Sequence, residues 1–176
     1  MSTYIIMVNC MLKDQWIKNK QMMILFEKLE KNQDNNLMTI NMENLFSLFN
    51  PSFKKVCDCI LITNEDPEQI EKNFANAIRM HMDRTGYEAS STETRINDFF
   101  STKISILDGI RVSILVVNTW KLKIKSLDPS CSICFILSVN DEYVELRCHK
   151  VRKSEGLWVD TDLNNYTDGA IAYTII

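Results

Sequence analysis

Glycine is scarce in this chain of 176 residues, which has only Gly86, Gly109, Gly156 and Gly169. Each falls where a turn or a helix end is expected, so none is left for a glycine-rich loop that cradles phosphate. Histidine is scarcer, with His81 and His149 alone. Nucleophilic catalysis needs a base beside the nucleophile, usually histidine, so few constellations are open. There is no excess of positive charge: the net charge is −3, which excludes binding to nucleic acid through bulk charge. No apolar run approaches the ~18 residues that a membrane span needs. The first residues, "MSTYIIMVNCMLKDQW", have no basic region and only a short apolar stretch broken by Asn9, so no signal peptide is expected. The six cysteines then read as reduced thiols in a cytoplasmic protein.

What remains is ordinary for a globular protein, with 45% hydrophobic and 24% charged residues. The length suits a single domain over residues 1–176 that can bury a core of its own. Isoleucine, lysine, asparagine and methionine are plentiful, a pattern that follows A-rich codons and fits an A-rich viral genome or an AT-rich cellular one.

The pattern along the chain predicts an α+β fold, with N-terminal helices packed on a C-terminal antiparallel β-meander. "TYIIMVNCML" reads as a short strand. A helix follows, with Asp14 as cap and Met22, Leu25, Phe26 and Leu29 on one face. "NMENLFSLFNP" reads as a second helix between Asn41 and Pro51, and "FKKVCDCILIT" as one central strand, apolar on both faces. Asp66 caps the next helix, Pro67 takes its first position, and Gly86 closes it. "YEASSTETRINDFFSTK" reads as a polar connection with one helical turn near Ile96 to Phe100. From Lys103 a period of two sets in, with Ile104, Ile106, Ile110, Val112, Ile114, Val116, Trp120, Leu122 and Ile124 all on even numbers, which predicts two strands joined by Leu107-Asp108-Gly109. "CSICFILSV", "EYVELRCHKV", "GLWVDTDL" and "AIAYTII" read as further strands.

Several residue sets invite a chemical reading. In "DTDLNNYTDG", Asp160, Asp162, Asn164 and Asp168 fall at calcium-loop positions, but Asn165 stands where the loop needs glycine and Ile171 where it needs glutamate. Turn formation between two strands explains the same residues. Cys57 with Cys59, and Cys131 with Cys134, suggest zinc, with Cys148 and His149 in reserve. A zinc knuckle needs a tight turn, whereas Cys131 and Cys134 lead into a strand and so point to opposite faces. Buried thiols acting as small hydrophobes fit better. The same argument separates Cys148 from His149, and His81 lies on the apolar side of a helix. The residues thus predict no catalytic group, no metal and no cofactor.

One surface feature has a direction. On a strand, Lys121, Lys123 and Lys125 would project from one side, opposite Trp120, Leu122 and Ile124, and "HKVRK" would add Lys150, Arg152 and Lys153 nearby. Such a stripe could meet an anionic membrane surface or RNA phosphates. Lysines that discourage edge-to-edge pairing of strands give the same pattern.

The succession of a strand, an N-capped helix and antiparallel strands, in "VCDCILITNEDPEQIEKNFANAIRMHM" followed by "TKISILDGIRVSILVVNTWKLKIK", is similar to the core of small matrix proteins of negative-strand RNA viruses. The length resembles that of plant cytorhabdovirus matrix proteins. The resemblance implies a non-enzymatic structural protein of the virion and host cytoplasm, without a small-molecule substrate. It would form homo-oligomers and bridge the viral nucleocapsid to the membrane. A small accessory protein that binds RNA or a host factor, as movement proteins and silencing suppressors do, is the alternative.

Overall fold

In the computed structural model, residues 16–31, 42–167 and 169–176 are described. The predicted strand over residues 3–12 and the predicted caps Asp14 and Asn41 lie outside them. The chain enters through β1 (Ile17–Lys18) and α1 (Lys20–Lys31). Asn19 caps this helix: its Oδ1 accepts from the Met22 N–H at 2.9 Å. The same side chain accepts from Ile171 N–H and donates to the Gly169 carbonyl, tying the helix start to the far end of the sequence. Met22, Phe26 and Leu29 are buried, the apolar stripe that the spacing predicts. α2 (Met42–Phe49) follows, with Leu45 and Leu48 buried and Pro51 just beyond its end.

The stretch predicted as one central strand is instead a hairpin, β2 (Phe53–Val56) and β3 (Cys59–Ile62). Cys57 and Asp58 form its two-residue turn, with φ of 50° and 63°. That is the left-handed pair a tight hairpin needs and that glycine or asparagine usually supplies. Cys57 does not signal a turn by type, and Asp58 alone between apolar runs does not interrupt the pattern, so the sequence reads on through it.

α3 (Pro67–His81) starts as predicted, with the Asp66 carboxylate accepting from Glu68 N–H at 3.0 Å. It ends five residues before Gly86. Met82 takes a positive φ of 71°, Asp83 caps a new helix, α4 (Arg84–Ser91), and Gly86 lies inside it. The glycine serves close approach rather than a cap: a Cβ there would lie 2.3 Å from the His81 carbonyl oxygen. α3 is peripheral, with Ile70 its one fully buried residue. Phe74 is half-buried against Tyr87, at a ring separation of 6.3 Å. Asp66→Ala is therefore expected to cost ~1 kcal/mol. Ile70→Ala should cost about 2–4 kcal/mol and Phe74→Ala less, about 1–2 kcal/mol, because that ring is only partly withdrawn from water. Urea denaturation of the three variants checks the order; a Phe74 loss above the Ile70 loss would contradict it.

After β4 (Thr94–Arg95) and the expected helical turn, here a 3-10 turn at Ile96–Phe99, comes the largest departure from the sequence pattern. Residues predicted as two strands form α5 (Ile106–Leu127). Ser105 caps it, its hydroxyl accepting from Asp108 N–H at 3.1 Å and donating to the Asp108 carboxylate at 2.7 Å. The period-two reading failed because this helix is buried nearly all round over Gly109–Val117. A helix covered on both sides loses its amphipathic signature, and its isoleucines and valines imitate strand composition. Gly109, expected in a hairpin loop, sits in the first turn of the helix, where a Cβ would come 2.7 Å from Val144 Cγ2.

The remaining strands are β5 (Ile133–Val139), β6 (Val144–Lys150) and β7 (Ala170–Ile175). The antiparallel sheet has the order β1-β7-β5-β6-β4, so β7 returns to the side of β5 opposite β6. The fold is α+β, with the helices preceding and packed on the sheet. Phe135, Leu137, Leu146 and Ala172 join Ile114, Val117 and Trp120 in the main core. The opposite face presents Cys134, Ile136, Ile171 and Tyr173, covered by Val159 and Leu163. The covering segment contains the predicted strand "GLWVDTDL", which is not one: it crosses the sheet face as turns ending in a 3-10 turn at Leu163–Asn165. Its apolar residues are satisfied by lying flat on the sheet rather than by joining its hydrogen-bond ladder.

Candidate functional site

The six basic residues that a strand pattern would gather into one stripe are dispersed. On a helix, residues two apart point to nearly opposite sides, so Lys123 of α5 faces away from Lys121 and Lys125. Lys123 Nζ donates to Asn50 Oδ1 at 2.6 Å and to the Pro51 carbonyl, and Lys125 Nζ to the Cys131 carbonyl. Both lysines thereby bind oxygen acceptors in the loops that follow α2 and α5 instead of projecting as a row. Lys121 stays half-buried and Lys153 is exposed. Lys150 and Arg152 are drawn inward, to a cluster that holds most of the ion pairs among the described residues.

This cluster joins the β2–β3 turn, α4, the end of α5 and the end of β6. Glu88 of α4 is completely buried. Its carboxylate accepts from Ile60 N–H at 2.6 Å, from Lys150 N–H at 2.9 Å, and from both terminal nitrogens of Arg152, at 2.7 and 2.9 Å. Lys150 Nζ donates to Asp128 Oδ2 at 2.8 Å and to Asp58. Lys55 reaches Asp128 at 3.0 Å, and Arg84 reaches Glu155 at 3.2 Å and Asp58 at 3.5 Å. Glu155 also accepts from the backbone and hydroxyl of Thr85. The Asp58 carbonyl accepts from Arg152 at 2.6 Å, so the cluster grips the left-handed turn by both charge and backbone. Lys55, Arg84, Lys150 and Arg152 stand against Asp58, Glu88, Asp128 and Glu155, so the cluster is balanced.

The electrostatics follow from the contacts. Its hydrogen bond to Lys150 holds the Asp58 carboxyl below its ordinary value, and Lys150 with Lys55 does the same to Asp128. Burial pushes Glu88 up, while Arg152 and the two backbone N–H groups pull against it. Each of these charged groups has an ionic partner within the cluster, although the buried Nε of Arg152 has no hydrogen bond of its own. Sequence reasoning missed the acidic half of the cluster. The only local signal was Arg152 with Glu155 three residues on; Glu88, Asp58 and Asp128 come from distant segments.

The other candidate groups are also engaged. Cys148 points into the main core and His149 to the opposite face. The imidazole donates from Nδ1 to the Lys150 carbonyl at 2.9 Å and accepts at Nε2 from Trp158 N–H at 3.3 Å. Burial pushes its pKa down, so it is held neutral. Burial raises the Cys59 and Cys134 thiols to about 12 and pushes Cys131 and Cys148 upward as well. At neutral pH such thiols are poor nucleophiles. In the former calcium candidate, Asp160 accepts from Asp162 N–H at 2.9 Å and Asp162 from Asn164 N–H at 3.1 Å, the hydrogen bonds of turn-forming side chains. Asp168 lies outside the described residues. Among the described residues, no group of three or more His, Cys, Asp or Glu is placed to hold a metal, and no helix is long and apolar enough to cross a membrane.

His149 gives the cluster's surroundings a pH dependence. Its folded pKa lies below the ordinary value of 6.5 that it regains on unfolding. The unfolded chain therefore binds the extra proton first, and the stability His149 contributes is present above about pH 6.5 and lost as pH falls toward its folded pKa. Glu88, shifted up, opposes this in the range just above its own ordinary value. Subtraction separates the two: the stability difference between the parent and His149→Gln, measured by urea denaturation, is expected to shrink from pH 7 to pH 5. A difference independent of pH would mean that the ring is not held neutral.

A second feature lies at the far end of the covered sheet face. It is a cleft of about 320 Å3 between the β5–β6 turn and the segment leading to β7. Strand register puts Ser138, Glu145 and Ile171 on its floor, and Tyr143 and Tyr166 stand at its sides.

No curated protein and no solved structure matches the chain. A family model does match residues 17–175, from β1 to the end of β7, and the chain belongs to the Uncharacterized protein PM0498 family.

Proposed function

We propose that this protein is a non-enzymatic accessory module that acts by binding another protein. One observation carries the reading: Glu88, His149 and the buried thiols, the groups best suited to chemistry, are already hydrogen-bonded or held neutral. Glu88 has four donors, His149 has a partner on each ring nitrogen, and the buried thiols are held protonated. What faces outward is charge of both signs and scattered apolar side chains, the material of a protein interface. The dispersal of the lysines takes support from a role at anionic membranes or RNA. The test is to cross-link the tagged chain in its own cell, make each recovered protein separately, and titrate it with the purified chain. A saturable, stoichiometric complex that leaves both proteins chemically unchanged is expected. Saturable binding only to RNA or anionic vesicles, or conversion of a recovered molecule to a product, would overturn the reading.

A matrix-like role through self-association is the second reading. It is favoured by Phe46 on α2, 71% exposed, and Leu122 on α5, 72% exposed. In that reading these side chains join copies before the assembly bridges nucleocapsid and membrane. Light scattering at rising concentration should then show association by the parent and a monomer for the Phe46→Ser, Leu122→Ser variant. A parent that stays monomeric would remove this reading.

A further inference from the structure

We propose that the cleft between the β5–β6 turn and the segment before β7 receives an arginine side chain of the partner protein. This deepens the protein-binding reading and rests on it. The floor carries Glu145, only 8% exposed. One of its oxygens accepts from Arg147 Nε at 2.8 Å; the other has no hydrogen-bond partner among the described residues. Arg147 cannot neutralise it alone, because the same guanidinium reaches Glu93 at 2.9 Å and stacks on Trp158 at 4.7 Å. Ser138, paired across the ladder with Glu145, offers a hydroxyl that likewise has no partner among the described residues.

The sides add two further features suited to a guanidinium. Tyr143 and Tyr166 line the cleft, and arginine binds tyrosine rings through both charge and planarity. Arg95 already lies over the Tyr143 ring at 4.6 Å, which shows that this ring accepts a guanidinium, and it occupies one side of it. The rim is acidic. Asp141 and Glu142 are exposed in the β5–β6 turn, and Asp160 is exposed beside the wall, where Asn165 donates to it at 2.7 Å and Tyr166 accepts from its N–H at 3.0 Å. With Glu93, Glu145 and Asp162, these carboxylates outnumber Arg95 and Arg147. A half-paired carboxylate at the base of an aromatic-walled cleft with an acidic rim selects a planar cation that can donate more than one hydrogen bond. An ammonium matches the charge but not the plane, and a neutral urea matches the plane but not the charge.

The test titrates the isotope-labelled full chain with three blocked tripeptides, Gly-Arg-Gly, Gly-Lys-Gly and Gly-citrulline-Gly, and with free arginine, followed by amide NMR. Saturable shifts centred on residues 138–145 and 165–171 are expected with the arginine peptide. The lysine peptide should bind several-fold more weakly and the citrulline peptide at least tenfold more weakly. Glu145→Gln should weaken the arginine peptide at least tenfold. Ser138→Leu, which fills the floor and leaves the carboxylate in place, should do the same, and the thermal midpoint of each variant reports whether it folds. Lys153→Glu, far from the cleft, should change nothing. Equal binding of the arginine and citrulline peptides, shifts outside the cleft, or full affinity in two folded cleft variants would overturn the proposal. Free arginine that binds tighter than the peptide would also overturn it, by marking a small-molecule site. A partner that still binds the Glu145→Gln and Ser138→Leu chains at full affinity would remove the cleft and leave the protein-binding reading standing; a chain without any protein partner would remove that reading itself.

Discussion

Arg152→Ala is expected to lower the free energy of unfolding by about 3–5 kcal/mol, the cost of leaving one member of a buried ion pair without its partner. The Arg152 side chain is itself 9% exposed and gives both terminal nitrogens to Glu88, whose side chain is out of water altogether. Truncation leaves that carboxylate with two backbone donors, from Ile60 and Lys150, and no cation in contact. It also frees the Asp58 carbonyl at the hairpin turn. Two companion variants separate lost attraction from stranded charge. Arg152→Lys keeps the charge without the bidentate fork and should recover only part of the loss. Glu88→Gln combined with Arg152→Met removes both charges and should be more stable than Arg152→Ala alone. Urea denaturation of the four chains measures this, and a double variant as unstable as the single one would show that the pair matters through packing rather than charge.

Trp120→Ala should have an effect of similar size, about 3–5 kcal/mol, for a different reason. Trp120 is 1% exposed near the centre of the main core. Its indole N–H donates to the Leu48 carbonyl at 2.8 Å, and its ring meets Phe53 edge-on at 5.3 Å. The substitution opens a cavity, leaves the Leu48 carbonyl without this donor, and loosens α2 and β2 from α5 together. Leu122→Ala, two residues on, should cost less than about 0.5 kcal/mol, because its side chain is already in water. The pair also tests the helix itself. On a strand, Trp120 and Leu122 would share a face and respond alike; on a helix, they point to nearly opposite sides. Equal losses would return residues 103–125 to the strand reading.

The misreading of α5 shows where sequence pattern stops. Residues 106–127 contain enough isoleucine and valine, at alternating positions, to satisfy a strand template. What decides the matter is that β5 and β6 lie on one side of the segment and α2 and β2 on the other, so both faces must be apolar. The hairpin at Cys57 and Asp58 was hidden likewise, because its turn lacks glycine or asparagine and is held by Lys150, Arg84 and Arg152 from other elements. Glu88 carries no mark in "YEASS"; it becomes a buried anchor only when Arg152 arrives from 64 residues along the chain.

The sequence by itself determined those features whose physics is local. It set the α+β class, the Asp66 cap and Pro67 start of α3, the buried face of α1, β5, β6 and β7, and the opposite orientation of Cys148 and His149. Each depends on a side chain meeting its own backbone or on a period that one buried face imposes. Tertiary structure alone decided the rest: that the even-numbered apolar residues wind into a helix, that Lys150 and Arg152 turn inward to meet acids, and that Glu145 ends in a cleft between tyrosines. Those outcomes depend on groups remote in the chain, whose pairing is worth having only once water has been excluded around them, and no local pattern records that exclusion.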